Sequence, residues 1–444
     1  MPKDPITAVV VGAGNRGTRY ASYALEHPDK LKIVGVAEPF EPRRDVFAKA
    51  FGLPPAQRFG SAEEVAARPQ MADAVINTTM DAYHVPTSLP LLAAGYDVLL
   101  EKPFATSEDD MWRLIDAGRR HGRKIMVCHV LRYAPFYRAV RERVAGGDIG
   151  EVINIQTNEH VSYHHMAVAF VRGKWRNRAE GGSTMLMAKC CHDLDLIMWM
   201  KSGVRPRSVS SFGGTMYFRP EKAPKGAGTR CLVDCPIEPD CLYSARKHYI
   251  DHPDRWRFYV WRELDHIPEP TLEQRIDLLK NDDRYGRCVW RSDNDVVDHQ
   301  SVAIEFEDGS TATHNMVGGT SRPMRSIHII GTLGEIYGVF DDSVFVVRHI
   351  DPRPGHEYSE EVVDLKLTGD MSGAQGGHGG GDLRLVDDFV RFIQGEPRSI
   401  SCTTIEDSIN GHLAGFSADR AMTERRVIEI SQTVDSASSL PGGP

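Results

Sequence analysis

The chain has 444 residues and a formal net charge of -8, with 53 lysines and arginines against 61 aspartates and glutamates. That length exceeds one ordinary core and points to two domains, while 41% hydrophobic and 26% charged residues exclude a disordered or fibrous chain. The acidic balance argues against a phosphate backbone or an anionic lipid surface as partner. No apolar run approaches the roughly 20 residues needed to span a bilayer. Met1 to Pro5 leads straight into AVVVG without a signal-peptide plan, so the expectation is a cytoplasmic protein with neither a membrane nor a nucleic-acid partner. Eight cysteines in so long a chain are expected as thiols or metal ligands rather than as a disulfide framework.

Short apolar runs alternate with amphipathic stretches through the first 130 residues. Strands are expected at Ile6–Val11, Lys32–Ala37, Ala74–Thr78, Asp97–Leu100 and Lys124–His129, with helical spacing at Pro86–Ala94. This is the pattern of a doubly wound parallel sheet in a domain of residues 1–130. From residue 131 to 444 the segments Val152–Glu159, Val302–Glu307, Ser326–Ile330 and Val344–Arg348 alternate in polarity, as strands of an α+β domain with a large, mostly antiparallel open sheet would. Residues 223–291, dense in charge, proline and cysteine, read as an insertion. Their aromatic middle (Tyr249, Trp256, Phe258, Tyr259, Trp261) is expected to form a partly buried helix. Two more helices are expected at Leu383–Gln394 and Thr404–Met422, the second opened by a Thr404/Asp407 capping box.

The first strand runs into Gly12-Ala13-Gly14-Asn15-Arg16-Gly17 and then a helix. Gly12 permits a tight turn, Gly14 lets the backbone approach a pyrophosphate, and Gly17 lets helix pack on strand, while the helix N-terminus offers free N–H groups. Glu38 follows the second strand 21 positions after Gly17, placed to accept hydrogen bonds from the adenosine ribose and to repel a 2′-phosphate. That favours NAD over NADP, although Arg43 and Arg44 stand close enough to neutralise an extra phosphate. Asn77, Thr78 and Thr79 end a strand at the edge where ligands bind, or are simply polar strand-end residues. Glu101-Lys102-Pro103 delivers a lysine to the same edge, where a partly desolvated amine suits proton exchange with a hydroxyl.

The segments VVVGAGNRG, NTTMDAYHVP, AAGYDVLLEKPFA and KCCHDLD resemble, in order, those of the glucose-fructose oxidoreductase, inositol dehydrogenase and rhizopine-catabolism (Gfo/Idh/MocA) family. The resemblance implies an N-terminal Rossmann domain, a C-terminal domain whose sheet mediates dimers or tetramers, and NAD-dependent chemistry on sugars and polyols. It implies an acid/base role for Lys102 and a place near the nicotinamide for His84. The family's D-x-G-x-H-x-x-D signature keeps His192 and Asp195 here, but Ala188 and Cys190 replace its first aspartate and its glycine. Asp195, one helical turn on, could fix the tautomer of His192, and Lys189 could have taken a substrate-binding role.

HVSYHHMAVAFVRGKWRN, beginning at His160, gathers His160, Tyr163, His164, His165, Arg172, Lys174, Trp175 and Arg176. Such donors and aromatic surface suit a hydroxyl-rich ring, anionic as in a uronate or sulfosugar; a solvated charged face is the other reading. Arg132 and Tyr133 after the last parallel strand, and His378 in a glycine-rich loop, join the candidate substrate residues. Cys231, Cys235, Cys241 and Cys288 lie in the insertion. Around a tetrahedral zinc ion they would hold together a segment too polar for its own core; unliganded thiols are the alternative.

Two net reactions start from hydride transfer at a sugar carbinol, expected at C3, with Lys102 and His192 managing the hydroxyl proton. Release of the oxidised sugar makes a dehydrogenase. Retention allows loss of the C2 proton, elimination of the aglycone, addition of water and return of the hydride, which is a redox-neutral glycosidase and the favoured expectation. Tyr163, His164 and His165 are candidate bases for the elimination. A non-catalytic NAD-sensing protein is the reading from another class.

Overall fold

The computed structural model describes residues 4–281, 284–366 and 380–430. Its first sheet is built from β1 (Ile6–Val11), β2 (Leu31–Ala37), β3 (Arg58–Phe59), β4 (Ala74–Asn77), β5 (Asp97–Leu100) and β6 (Ile125–Val127), ordered β3-β2-β1-β4-β5-β6. Every pairing in it is parallel. Its strands are short valine, isoleucine and leucine runs because helices cover both faces and no position can be polar at low cost. The helix Glu108–His121 shows how such a crossover is bounded. Ser107 accepts the Asp110 N–H at its start, Gly122 closes it at φ +62, and Met111, Leu114 and Ile115 face the sheet. The strand order reverses between β1 and β4, which opens a crevice at the carboxyl ends of those strands.

The second sheet contains β7 (Val152–Ser162), β8 (Pro206–Gly214), β9 (His299–Phe306), β10 (Thr311–Thr320), β11 (Met324–Gly331), β12 (Gly334–Val339), β13 (Val344–Ile350), β14 (Tyr358–Asp364) and β15 (Ile428–Glu429). They are ordered β14-β13-β12-β11-β7-β10-β9-β8-β15. β7 and β10 run parallel and the remaining neighbours antiparallel. The helix Cys191–Met200, buried at every position, lies in the core on the inner face of this sheet. The helix Ile405–Glu424 carries the expected capping box, Thr404 and Asp407 each bonding the other's backbone N–H. The helix Gly381–Ile393 places Leu385, Val386 and Phe389 in one core with Ala8, Val10 and Leu31, so the C-terminal helical segment returns to pack on the first sheet.

The insertion leaves the second sheet between β8 and β9. Its aromatic middle is not the single helix expected: it breaks into short turns at Arg246–Ile250, Arg257–Val260 and Arg262–Leu264, followed by the helix Leu272–Asn281. Pro253 removes a backbone donor just before this stretch, and Trp261 bonds the Pro253 carbonyl through its indole N–H at 2.9 Å, so side-chain contacts replace the helical ladder. Among the described residues, no helix is long and apolar enough to cross a membrane.

Candidate active site

The turn after β1 is shaped by two close approaches and one opening. A Cβ on Gly12, which sits at φ +89, would lie 2.9 Å from the Thr78 carbonyl oxygen, and one on Gly17 would lie 2.1 Å from the Gly12 oxygen. At Gly14 nothing stands within 4 Å, so the middle glycine faces open space where a pyrophosphate fits. Asn15 is exposed at this mouth. No side chain caps the helix Asn15–Ala21 and its first turn holds no acid, which leaves its amides to an anion. Glu38, directly after β2, accepts the Ala13 and Phe40 N–H groups at 3.0 Å each and pairs with Arg43 at 3.3 Å. It therefore braces the glycine turn as well as standing at the ribose position.

Several expected cofactor contacts are instead internal braces. Arg16 pairs with Glu101 at 2.8 Å and with Asp382 at 2.6 Å, tying the turn to the C-terminal helix. Asn77 is fully buried and donates to Thr87 and Ser88, Thr78 donates to the Gly12 carbonyl at 2.6 Å, and Thr79 donates to Asn77. His84 is buried with Nδ1 2.7 Å from the Pro103 carbonyl and Nε2 3.0 Å from the Thr79 carbonyl, so it clasps two loops rather than facing the nicotinamide.

Lys102 follows β5, and its Nζ donates to the Ala188 carbonyl at 2.7 Å, bridging the two domains. Its own N–H bonds Glu101, which also accepts from Tyr20 at 2.7 Å. Burial opposes the Glu101 charge, but Arg16, Lys102 and the hydrogen bonds from Arg16 and Tyr20 outweigh it and hold that carboxyl at about 2. Lys174 lies 4.1 Å over the Trp175 ring, and the Trp175 indole N–H donates to Asp81 at 3.0 Å. Burial brings the Lys174 amine down to about 8, with Asp81, Glu101, Lys102 and Arg262 all within electrostatic reach. Lys174 thus lies within electrostatic reach of Lys102.

The helix bearing His192 opens three residues beyond Ala188. The His192 ring lies 5.9 Å from that of His129, which is itself 6.2 Å from His412. His129 was missed in sequence. It is 1% exposed, both ring nitrogens lack a hydrogen-bond partner among the described residues, and Asp195 is 3.6 Å away. Burial, then Arg132 and Lys102, push its pKa well below the ordinary value. The available signal was its position two residues past a parallel strand's carboxyl end. Cys191 beside His192 is an inert thiol, pushed up to about 12 by burial despite Lys102.

Asp195, one turn on from His192, holds Arg132 through two bonds of 2.7 and 2.6 Å. Arg132 is consequently a buried strut, and Tyr133 donates to Asp388 at 2.7 Å, so neither offers its polar group to a substrate. Arg172 is also structural, reaching into the insertion to bond the Arg287 and Tyr243 carbonyls, the Tyr249 hydroxyl and the Cys231 sulfur. Arg176 pairs with Glu180. Lys189 pairs with Glu159 at 3.1 Å inside a buried network completed by Arg325 and Asp193. His160 lies next to the inward Glu159 on β7 and so points to the opposite face of the sheet. Tyr163, His164 and His165 pack on Tyr243, His248, Phe170 and Trp256, the Trp256 indole N–H donating to His164 at 3.2 Å. They anchor the insertion instead of joining Lys102. His378 lies outside the described residues.

The cysteines of the insertion lie within electrostatic reach of one another, but no three of their sulfurs close to the spacing of a shared zinc ion. Among the described residues, the only set of three potential ligands whose atoms all lie within 4.8 Å is Cys190, Asp193 and His314; Cys231, Cys235, Cys241 and Cys288 form no such set. Arg172 instead contacts the Cys231 sulfur at 3.4 Å, and burial raises the thiols of Cys241 and Cys288. Around Cys190, the carboxylates of Glu159 and Asp193 are already offset by Lys189 and Arg325, so the charges balance without a cation.

Comparison with known proteins follows this geometry. Residues 6–129 match the model "Oxidoreductase family, NAD-binding Rossmann fold" and residues 137–230 match "GFO/IDH/MocA C-terminal domain". The oxidoreductase YteT of Bacillus subtilis is 25% identical over 73% of both chains. Inositol 2-dehydrogenase of Corynebacterium glutamicum is 27% identical over 45% of this chain and 55% of its own length. Among solved structures, the WlbA dehydrogenase of Bordetella pertussis, in complex with NADH and UDP-GlcNAcA, superposes with a TM-score of 0.68 at 16% identity. That match covers 97% of this chain and 99% of WlbA.

Proposed function

The chain belongs to the Gfo/Idh/MocA family of NAD-binding oxidoreductases, and from that premise we propose that it acts on an anionic glycoside as a redox-neutral hydrolase, by hydride transfer at the C3 carbinol. What supports this reading is the Lys102 amine held at the Ala188 carbonyl, just ahead of the helix bearing His192, with Lys174 seated over Trp175 within its electrostatic reach. An elimination needs an acid/base group beyond the one serving the oxidised hydroxyl, and Lys174, brought to about 8 by burial, suits that work near neutral pH. It takes the place expected for Tyr163, His164 or His165. The glycine turn, the free amides of the helix Asn15–Ala21 and Glu38 would hold NAD, which supplies the acceptance and return of a hydride.

Lys102 takes the C3 hydroxyl proton, with His192 and His129 beside it. Lys174 removes the C2 proton made acidic by the C3 ketone. The C1–O bond to the aglycone breaks with a proton taken up by the departing oxygen, water adds at C1 and gives up a proton in replacement, Lys174 returns a proton to C2 and Lys102 returns one to the C3 oxygen. The net change is addition of water across the glycosidic bond. Lys102, Lys174 and Arg262 make the cleft locally cationic in an acidic protein, which supports a sugar acid or sulfosugar; likeness to inositol 2-dehydrogenase supports a polyhydroxylated ring. A homo-oligomer and a cytoplasmic setting complete the proposal.

Incubation with NAD and a panel of neutral and anionic aryl glycosides tests it, following NADH absorbance, aglycone release and deuterium uptake at C2 from heavy water. Aglycone release with C2 exchange and no accumulating NADH is expected. NADH without aglycone would establish a net sugar or polyol dehydrogenase instead. Cellular activity unchanged in a Lys102→Ala variant would favour an NAD-sensing role.

A further inference from the structure

The insertion crosses from the second domain to the nucleotide edge of the first. Asp265 accepts from Arg43 through Nε at 3.4 Å and through a terminal nitrogen at 3.2 Å, and the same guanidinium reaches the Arg262 carbonyl at 3.5 Å. His266 packs edge-on against Phe40 at 6.4 Å, in the loop between Glu38 and Arg43. Earlier in the same segment, the partly buried Tyr259 lies within the fields of Arg16 and Glu101. Arg44, the other nearby cation, bonds the Glu38 backbone carbonyl at 3.0 Å and pairs with Glu41 at 3.7 Å. Glu38 and Asp265 therefore set two carboxylates against the single Arg43 guanidinium at the ribose position.

We infer that Asp265 is a specificity-determining residue of the nucleotide site: by engaging Arg43 it withholds the guanidinium that would otherwise receive a 2′-phosphate, and the insertion thereby makes the enzyme selective for NAD over NADP. The inference rests on the nucleotide-binding reading of the Gly12–Gly17 turn and is independent of which sugar reaction follows. A 2′-phosphate brings close to two negative charges beside two carboxylates that already hold the Arg43 guanidinium. Removing the Asp265 charge lessens that repulsion and loosens the hold on two N–H donors with the fork geometry that phosphate prefers.

The test is titration of the full-length protein with NAD, and separately with NADP, by calorimetry and tryptophan fluorescence, without any sugar. Asp265→Asn is a mild substitution because the side chain is 40% exposed. It should tighten NADP on the order of tenfold relative to NAD, the worth of one charge-assisted hydrogen bond, with an unchanged melting temperature. Adding Arg43→Leu to Asp265→Asn should abolish that gain. An unchanged NADP-to-NAD affinity ratio in Asp265→Asn would overturn the inference, as would a gain that survives Arg43→Leu. Failure to bind either nucleotide would remove its premise. Loss of the glycosidase reading, with the affinity shift intact, would leave it standing.

Discussion

Exchanging Asp195 for leucine tests which group that carboxylate serves. The pair it makes with Arg132 is bidentate at 2.7 and 2.6 Å, the two residues are 2% and 4% exposed, and Arg132 also lies over Trp199 at 5.3 Å. Breaking such a pair from one side costs about 3–5 kcal/mol, because an uncompensated charge stays buried, whereas exchanging both partners for apolar groups of similar volume is close to neutral. Asp195→Leu and Arg132→Met are each expected to lose about 4 kcal/mol. The double variant should lose far less than their sum, giving a coupling energy of roughly 3 kcal/mol or more. Urea unfolding monitored by circular dichroism and tryptophan fluorescence measures the cycle. A second cycle pairs Asp195→Leu with His192→Phe and should be additive within about 0.5 kcal/mol. Additivity between positions 132 and 195, with strong coupling between 192 and 195, would refute the assignment and return Asp195 to the imidazole.

Lys102→Ala should lower turnover by roughly 10²–10⁴-fold, the range for loss of a positioned acid/base group, while leaving the NAD dissociation constant within about threefold; loss of NAD binding would make the lysine a cofactor anchor instead. Arg172→Met removes the guanidinium that joins Arg287, Tyr243 and Cys231, so limited trypsin digestion should cut within residues 223–291 faster, and an unchanged pattern would show that the insertion is held otherwise. Burial holds His314 at about 4 and His412 at about 3, both neutral in the fold. The unfolded chain protonates such histidines first, so stability falls as pH drops below the ordinary histidine value and levels off near those folded values. The slope is about 1.4 kcal/mol per pH unit for each group, and unfolding midpoints that stay flat from pH 6.5 to 4 would contradict it.

What could be read in the sequence was chemistry that acts over a few residues. The glycine turn and Glu38 are legible because a pyrophosphate and a ribose demand them at short spacing, and the Thr404/Asp407 cap because it is complete within one helical turn. Several of the failures cross long stretches of chain. Asp195 sits one turn from His192, yet its partner lies 63 residues away; helical spacing lists neighbours but cannot rank a guanidinium above them. Arg172 and Lys174 are two apart and looked alike, but one runs into the insertion and the other into the cleft. β3, β8, β10, β12, β14 and β15 carry no strand expectation, since strands whose glycines, serines and charges break the apolar alternation carry little signal of their own. His129 was absorbed into a strand because its burial without a hydrogen-bond partner is visible only once Asp195, His192 and His412 surround it.

The return of the C-terminal helices to the first sheet bears on how this protein is made. Phe389 closes the core that Val10 and Leu31 begin, Ile405 and Leu413 close the one around Leu100 and Phe104, and Asp382 clamps Arg16 in the glycine turn. A ribosome releases the nucleotide-binding half long before those partners exist, so its apolar strands must wait, exposed, until nearly the whole polypeptide has emerged. Truncation before Asp382 should therefore yield an aggregating fragment rather than a smaller binding module.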